Sequence, residues 1–421
     1  MPASRLGPPL DLPGSPFAAR LLMRIALLHY SSWPEIGGVE NMLRDQATLL
    51  TRKGHEVVVL SGLGQDPIDG YDFAVLPEIA PSFKLYQEMR AIMDHGQTDQ
   101  SFHKYRALLV ETLKPILEQV EVTIVHNVFT MHFNLALTQA LVDLSKEHRM
   151  IAWTHDLVAS SGDYSLANPT KSPWNLMSTA HPNVLYVAAS EQRRAEIEAT
   201  LKPAPSVMVV PNFVDLGRLY GLSLEMRESL DALALAEREF VFLLPSRIMP
   251  RKNVEFAIQI VTTLRMSGRN PLLLITGAPD QNSAAAANYS KFIHDTLPAK
   301  MQRYIVFVHD YFTVKEEIMR DLYMMADCLI YCSRKEGFGL PILEAALHRL
   351  PIWCNGVPSF WAVEGEGAFM INDPSQLDAA VTWLEQQSTF RLQRLVRHSF
   401  DSNAIYTQYY VPMLEGEVVA A

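Results

Sequence analysis

The sequence is poor in cysteine and has no long apolar run. Its three cysteines are Cys328, Cys332 and Cys354, and no histidine pair accompanies them in a zinc-binding pattern. An odd number of cysteines argues against a disulfide framework, so we expect a reducing compartment, the cytoplasm. A membrane-spanning helix needs about 20 consecutive apolar residues, and no stretch approaches that length. The pattern is therefore not that of a disulfide-stabilised secreted domain or of a membrane-spanning protein.

Positive charge is also in short supply. The chain has 36 lysines and arginines against 46 aspartates and glutamates, which gives a net charge of −10. Nucleic acid is therefore not an expected partner. The predicted helix over residues 85–95 lacks a strongly basic amphipathic face, so peripheral membrane contact stays open but is not indicated.

The first residues differ in composition from the rest. Residues 1–20 are rich in proline and lack the apolar core of a signal peptide. A segment of this composition buries too little apolar surface to fold. We therefore expect a disordered extension over residues 1–20.

From residue 21 onward, short apolar runs alternate with amphipathic stretches. Hydrophobic residues make up 48% of the 421 residues, which is enough for two domains with full cores. Apolar strands that alternate with helices predict parallel sheets covered on both faces, an α/β doubly wound fold. The predicted strands are residues 22–29, 56–61, 73–76, 122–126, 150–153, 184–188 and 206–210, then 240–244, 272–275, 305–308, 328–332, 352–354 and 369–371.

The alternation pauses once, and the pause divides the chain. Between Pro211 and about Glu237 no strand pattern is present, and we interpret this stretch as an interdomain linker. The prediction is a first domain over residues 21–215 and a second over 216–399. Doubly wound domains bind ligands beyond the carboxyl ends of their strands, so the residues that follow the strands are the candidates for a site.

One motif after a predicted strand is the most informative part of the chain. Residues 333–351 contain Glu336 and Glu344, and between them lie Gly337, Gly339 and Pro341. The glycines allow a tight turn and close approach to a ligand, and proline favours the first position of a helix. The start of that helix offers unpaired N–H groups and a positive dipole end, which suit a phosphate. A sugar nucleotide has hydroxyls on both sides of its phosphates and fits this arrangement.

At these residues the chain resembles the retaining GT-B glycosyltransferases of family 4, whose hallmark is E-x7-E. The resemblance implies two Rossmann-like doubly wound domains that face each other across a cleft. It also implies a C-terminal helix, here about residues 400–421, that crosses back to the first domain, with Asp401 as its cap. By the same resemblance, Glu344 binds the ribose and Glu336 is a catalytic residue that binds the donor sugar. The backbone from Gly337 through Phe338 and Gly339 to Leu340 then binds the donor diphosphate.

Two further segments are candidates for the diphosphate site. Arg247 and Lys252 follow the first strand of the second domain and resemble the family's G-R-x-x-x-x-K-G element, with Ser246 and Asn253 in place of its glycines. Arginine and lysine are the side chains that bind phosphate oxygens best. In the first domain Gly37 and Gly38 resemble the family's G-G-x-E loop, which implies a phosphate contact at Gly38 and an acceptor-side position for Gly37.

Polar residues at strand ends in the first domain complete the candidate set. His155 and Asp156 follow the strand over residues 150–153, and the resemblance implies that His155 contacts the donor sugar near its reacting carbon. Asp156 is a candidate sugar or acceptor contact, or it orients His155. His126 and Asn127 follow the strand over residues 122–126 and are candidate acceptor contacts. For His155, a purely structural role is the alternative.

The resemblance implies a hexosyltransferase that uses a nucleotide diphosphate sugar as donor, of the UDP-glucose or GDP-mannose type. The acceptor is expected to be a carbohydrate, a glycoside or a lipid-linked saccharide. The resemblance also implies a retaining, front-face transfer. No D-x-D triplet of the GT-A type occurs, so we expect no metal or other cofactor to be required. The alternative is a non-catalytic sugar-nucleotide-binding protein of the same fold.

Overall fold

The computed structural model describes residues 22–66, 70–278, 283–355 and 368–416. The chain divides into two compact units at Asp215. The N-terminal unit comprises described residues from 22 to 214 together with 402–416, and the C-terminal unit comprises those from 215 to 401. The extension expected over residues 1–20 lies outside the described residues.

The N-terminal unit is built on a seven-stranded parallel sheet with the order β3-β2-β1-β4-β5-β6-β7. This order has one reversal, between β1 and β4, as in doubly wound nucleotide-binding folds. The strands are β1 (Arg24–His29), β2 (Glu56–Ser61), β3 (Asp72–Val75), β4 (Val122–His126), β5 (Met150–Thr154), β6 (Val184–Ala188) and β7 (Val207–Val209). The helices that connect them are α1 (Gly38–Arg52), α2 (Lys84–Met93), α3 (Gln100–Leu117), α4 (Leu135–Leu144) and α5 (Glu191–Thr200).

The C-terminal unit repeats this plan with six parallel strands in the order β10-β9-β8-β11-β12-β13. Its reversal lies between β8 and β11. The strands are β8 (Phe240–Arg247), β9 (Pro271–Gly277), β10 (Ile305–Phe307), β11 (Cys328–Tyr331), β12 (Ile352–Cys354) and β13 (Ala368–Met370). The helices are α6 (Leu216–Leu219), α7 (Leu224–Leu233), α8 (Val254–Met266), α9 (Ala284–Thr296), α10 (Glu316–Met325), α11 (Leu340–Leu347), α12 (Leu377–Gln386) and α13 (Ser388–Phe400).

The central strands of both sheets are buried on both faces because the interior positions of these strands are mostly apolar. Successive side chains of a strand point to opposite faces. In β1, Ile25 and Leu27 pack with α1 in one core cluster, whereas Leu28 belongs to the cluster on the other face with α3 and α4. In β8, Phe242 and Val241 divide in the same way between two clusters. The prediction of two doubly wound α/β domains is confirmed.

The stretch from Pro211 to about Glu237, interpreted as an interdomain linker, contains the division between the two units at Asp215 and, after it, α6 and α7. Buried Met226 and Leu233 of α7 join the core of the C-terminal unit, which explains why the stretch is helical although no strand pattern marks it.

The end of the chain returns to the N-terminal unit as one helical run. It consists of α14 (Ser402–Ile405), a π-helical turn over Tyr406–Tyr410 and α15 (Val411–Glu415). Tyr406, Tyr410 and Met413 are buried in the core of the N-terminal unit against β1 and α1. Pro412, which lacks a backbone donor, stands where a regular helix would need one. Within the described residues no helix is long and apolar enough to span a membrane.

Candidate active site

Three charged residues of the C-terminal unit lie close together where the strand order of its sheet reverses. β8 and β11 are hydrogen-bonded neighbours, although they are the first and fourth strands of the sheet along the chain. The loop after β8 carries Arg251 and Lys252, and the loop after β11 carries Glu336. Because the connections from these strands leave on opposite sides of the sheet, a crevice opens at their carboxyl ends, the usual ligand site of such folds.

Lys252 and Glu336 form an ion pair at this point. The Lys252 ammonium contacts Glu336 Oε1, and the two side chains are only 11% and 9% exposed. The Arg251 guanidinium lies 3.5 Å from Glu336 Oε2 and is half-exposed. Lys252 Nζ also lies 5.4 Å from the centre of the Tyr331 ring, where the negative face of the aromatic attracts a cation. The loops after two different strands therefore converge on one charged cluster.

The carboxyl group of Glu336 is ionised well into the acidic range. Burial acts to raise its pKa, but hydrogen bonds from Lys252 and Ser333 and the Lys252 charge outweigh that effect, so the pKa is lowered below 4.5. A buried carboxylate in the company of a cation can stabilise positive charge on a neighbouring sugar carbon. The pKa of Tyr331 is raised by burial and by the Glu336 charge, so Tyr331 stays a neutral phenol.

The helix start expected after β11 is present. Gly339 has φ 94° and ψ 42°, a left-handed conformation that glycine adopts without strain, and α11 begins at the next residue. Pro341 occupies the first turn. The first N–H groups of a helix lack intrahelical acceptors, so this turn can bind an anion. The side chains of Phe338 and Leu340 are exposed, and Gly337 has open space beside its Cα.

Glu344 lies on the exposed side of α11 and is held by a tyrosine of the preceding helix. The Tyr323 hydroxyl donates to Glu344 Oε2 over 2.7 Å. The Tyr323 ring stacks on His348, with ring centres 4.9 Å apart. Burial and the hydrogen bond to Glu344 raise the pKa of Tyr323 far above 10, which keeps the hydroxyl a donor. Glu344 is thus fixed one helical turn beyond the anion-binding start of α11.

Close packing under the loop after β8 fixes its path. A Cβ on Gly277 of β9 would come within 2.5 Å of Arg247 Cα, so only glycine allows β8 and β9 to pair here. The Arg247 side chain is exposed at the end of β8. Asn253 takes the left-handed conformation, with φ 55°, at the start of α8, which asparagine tolerates better than most residues. Its side chain donates to the Cys332 carbonyl over 3.1 Å, which ties the loop to the end of β11.

The polar strand ends of the N-terminal unit also meet. Asn127, in the left-handed conformation with φ 61°, accepts from the backbone N–H groups of His155 and Asp156 over 2.8 and 3.0 Å. The same amide donates to Asp156 Oδ2 over 3.1 Å. Asn127 is buried, and Asp156 is exposed. Asn127 therefore orients its neighbours, and a side chain with so little surface does not fit the expected direct acceptor contact.

Three histidines line up at the ends of β1, β4 and β5. His29 Nδ1 donates to the His126 carbonyl oxygen over 3.0 Å, and His126 Nδ1 lies 2.9 Å from His155 Nε2. The rings of His126 and His155 meet edge to edge, with centres 5.2 Å apart and 15° between their planes. His126 has no exposed surface, so it lies behind His155 and cannot contact an acceptor as expected from its position. Only His155 of the three reaches the surface.

All three imidazoles are neutral near pH 7. Burial lowers the pKa of His29 despite its hydrogen bond to His126 and the nearby carboxylates of Glu40 and Asp156. Burial lowers the pKa of His126 far below 6.5, with a further contribution from the other two rings. For His155, burial lowers the pKa to about 4. The group thus provides neutral hydrogen-bonding side chains.

The glycine turn of the N-terminal unit stands beside this histidine row. Gly37 precedes α1, which begins at Gly38, and the space beside the Gly38 Cα is open. Glu40 in the first turn of α1 accepts from the Ser31 hydroxyl over 2.7 Å and lies 3.9 Å from His29 Nε2. The turn, β1 and β4 therefore meet at the strand reversal of this unit, as β8 and β11 do in the other.

Four residues at the site were not identified from sequence: His29, Tyr331, Arg251 and Tyr323. His29 and Tyr331 are polar residues at the carboxyl ends of β1 and β11, and the argument that selected His155 selects them as well. Arg251 adjoins Lys252 in a basic loop. Tyr323 carries no sequence signal, because its contact with Glu344 depends on how α10 packs against α11.

Comparison with known proteins agrees with this geometry. A family model described as Glycosyltransferase Family 4 matches residues 36–218, and one described as Glycosyl transferases group 1 matches residues 225–403. The two family models define a glycosyltransferase of the GT-B class, and the protein is an enzyme of that kind. The chain belongs to glycosyltransferase family 4. Enzymes of this class use nucleotide sugars as donors.

The curated relatives are mannosyl-transferring proteins by name. Mannosylglucosylglycerate synthase of Petrotoga mobilis is 22% identical over 370 residues, which cover 78% of this chain and 81% of that protein. O-antigen chain mannosyltransferase RfbU of Salmonella typhimurium is 27% identical over 177 residues, 41% of this chain and 47% of that protein. The serotype-specific mannosyltransferase WbdA of Escherichia coli is 27% identical over 142 residues, 33% of this chain and 16% of WbdA.

Among solved structures, HepE of Anabaena in complex with UDP and glucose is 17% identical and has a TM-score of 0.36, with 93% of this chain and 100% of that chain covered.

Proposed function

We propose that the protein transfers a hexosyl group from a nucleotide diphosphate sugar to an acceptor hydroxyl with retention of configuration. The observation that supports the proposal best is the Lys252–Glu336 pair at the strand reversal of the C-terminal unit. In this pair a cation suited to phosphate lies beside a carboxylate suited to sugar hydroxyls, and both are in loops near the start of α11. A donor has its diphosphate and its sugar in the same adjacent order.

The donor binds to the C-terminal unit in this proposal. Arg247, Lys252 and the backbone from Gly337 to Leu340 bind the diphosphate, and Glu344 accepts from the ribose hydroxyls. A diphosphate competes with Glu336 for the Lys252 ammonium. Once Lys252 turns to phosphate, Glu336 is available to the sugar hydroxyls and to the positive charge that develops at the reacting carbon. The negative charge that develops on the departing diphosphate is then offset by Arg247, Lys252 and the dipole of α11, so the transfer needs no metal ion.

The N-terminal unit supplies neutral contacts to the sugar substrates. His155 contacts the donor sugar, and Asp156, beside it and exposed, accepts from a sugar or acceptor hydroxyl. The phosphate contact proposed for Gly38 is supported by the open space beside its Cα, whereas the acceptor-side position proposed for Gly37 is supported only by its place in the same turn, because the Glu40 carboxylate fills the space beside Gly37. The acceptor oxygen forms the new bond to the anomeric carbon, the bond from that carbon to the diphosphate oxygen breaks, and the acceptor proton passes to the departing diphosphate.

The transferred sugar is proposed to be mannose. The relatives at 22% to 27% identity are named for mannosyl transfer, which favours a donor of the GDP-mannose type over UDP-glucose. The acceptor class stays a carbohydrate, a glycoside or a lipid-linked saccharide, because the named relatives act on different acceptors.

Calorimetric titration tests the proposal at its core. The protein is titrated with UDP, GDP and ADP, each with magnesium and with EDTA, beside the Glu344→Ala variant. We expect GDP to bind most tightly, equally in both buffers, and to lose at least tenfold in affinity in the variant. Incubation with GDP-mannose and a panel of glycosides, followed by NMR of the anomeric proton, then tests transfer and retention. Binding without any transfer or hydrolysis would instead favour the non-catalytic binding protein.

A further inference from the structure

We propose that His126 is a positioning residue that holds His155 in a single neutral tautomer, with its proton on Nδ1. His155 then acts on its sugar substrate as a hydrogen-bond donor from Nδ1, and it takes no part in proton transfer. The role toward the sugar rests on the proposed function, whereas the tautomer follows from the geometry of the N-terminal unit alone.

The first step is that the two rings share one proton. His126 Nδ1 and His155 Nε2 are 2.9 Å apart, so one nitrogen donates and the other accepts. The two rings meet edge to edge, with 15° between their planes, as an in-plane hydrogen bond between ring nitrogens requires. The Trp153 ring lies 6.1 Å from the His126 ring, and His126 is fully buried, so packing restrains the His126 ring.

The second step decides which ring donates. A neutral imidazole has one N–H and one lone pair. His126 Nε2 is buried and has no hydrogen-bond partner among the described residues. If His155 donated from Nε2, His126 would carry its own proton on Nε2, where a buried N–H would lack an acceptor. Buried N–H groups without a partner are rarer in proteins than acceptors without one, so the favoured arrangement has His126 donating from Nδ1.

The third step fixes the state of His155. Its Nε2 accepts from His126, and the ring is neutral, so its proton is on Nδ1. His29 Nδ1 donates to the His126 carbonyl oxygen, and this hydrogen bond helps to fix the backbone of His126. Asn127 fixes the backbone of His155 from the other side. The free edge of His155 therefore presents a donor of fixed orientation, which suits a hydroxyl oxygen of a sugar.

Nitrogen NMR of the ¹⁵N-histidine-labelled full-length chain tests the tautomer directly. Two-bond ¹⁵N–¹H correlations distinguish Nδ1–H from Nε2–H, and the His155→Asn variant identifies the signals of His155. We expect the Nδ1–H pattern for His155 at pH 7. A Nε2–H pattern, or an imidazolium, would overturn the proposal.

Variants at His126 test the positioning role. His126→Leu removes the donor, and we expect His155 to become a mixture of both tautomers with at least tenfold lower kcat and little change in KM for the donor. His126→Asn places an amide nitrogen near the Nδ1 position, and we expect it to restore the Nδ1–H pattern and most of kcat. His181→Leu is the matched control, since His181 is a buried histidine of the same unit that does not contact His126 or His155. This variant should leave the His155 tautomer and kcat unchanged.

An unchanged His155 tautomer in folded His126→Leu, or equal loss of kcat in both His126 variants with the tautomer retained, would refute the positioning role. The spectra decide the tautomer whether or not transfer is detected, so an absence of transfer would count against the proposed function alone.

Discussion

Replacing Glu336 by glutamine should tighten the binding of nucleoside diphosphates while it abolishes sugar transfer. In the structure the Lys252 ammonium is engaged by Glu336, so a diphosphate has to displace that carboxylate. Glu336→Gln keeps the size of the side chain and removes the charge. Lys252→Met does the opposite, because it removes the cation that the diphosphate would use. The two single variants should therefore change affinity in opposite directions.

The size of the effect follows from the exposure of the pair. Hydrogen bonds to charged groups contribute about 1.5–3 kcal/mol. Arg251, at 3.5 Å and 48% exposed, stays near Glu336 and solvent reaches the loop, which places this pair at the lower end. A difference of about 1.4 kcal/mol is tenfold in affinity. We expect about tenfold tighter GDP binding in Glu336→Gln, at least tenfold weaker binding in Lys252→Met, and no gain from adding Glu336→Gln to Lys252→Met.

Calorimetry with GDP measures all three variants, and Glu255→Gln is a matched control because Glu255 pairs with Arg334 instead. Its affinity should equal that of the unmodified protein. If Glu336→Gln weakens GDP binding as much as Lys252→Met does, the two residues act as one structural unit, and the competition between Glu336 and phosphate is refuted.

Three other predictions follow from the same geometry. Gly277→Ala should destabilise the protein by about 1–3 kcal/mol in urea unfolding and weaken GDP binding, because its Cβ would meet the backbone of β8 at 2.5 Å, whereas Gly162→Ala, in open space, should do neither. Tyr323→Phe should weaken GDP binding severalfold and leave pyrophosphate binding unchanged, since the lost hydrogen bond orients Glu344, the residue proposed to bind the ribose; equal losses for both ligands would contradict this. Burial depresses the pKa of His155 from 6.5 to about 4, so the contribution of its neutral form to stability is complete above pH 6.5 and is lost as the pH falls toward 4. In urea unfolding, the free energy of unfolding of His155→Asn should therefore fall less between pH 6.5 and pH 4 than that of the unmodified protein. An identical fall in both proteins would refute this.

Much of the fold could be predicted because it depends on local sequence. The apolar runs predicted the strands, and the predicted bounds of β2, β4, β6 and β12 agree with the structure. Helix starts are also local, as at Ser190, whose hydroxyl accepts from the backbone of Arg193. The helical stretch α6–α7 was missed because its apolar side chains pack on a sheet that is formed elsewhere in the sequence.

The candidate site was predictable only in part. Position after a strand selected Glu336, Lys252 and His155, since the end of a parallel strand is defined by the strand itself. The pairing of Lys252 with Glu336 depends on β8 lying next to β11, which the strand order decides and the local sequence does not. Burial of His126 likewise depends on the rings of its neighbours. Exposure at a strand end thus cannot be read from the position alone.

The return of the chain to the N-terminal unit has a consequence for protein synthesis. Tyr406, Tyr410 and Met413 complete the core around β1, and the Tyr406 hydroxyl lies 2.7 Å from His55 Nε2. These residues leave the ribosome after the whole C-terminal unit, although the sheet they cover leaves it before that unit. The nascent N-terminal unit therefore exposes part of its apolar core to solvent until the whole C-terminal unit has been synthesised. A stop codon near residue 401 would spare every proposed catalytic residue and still leave the first unit without its final layer.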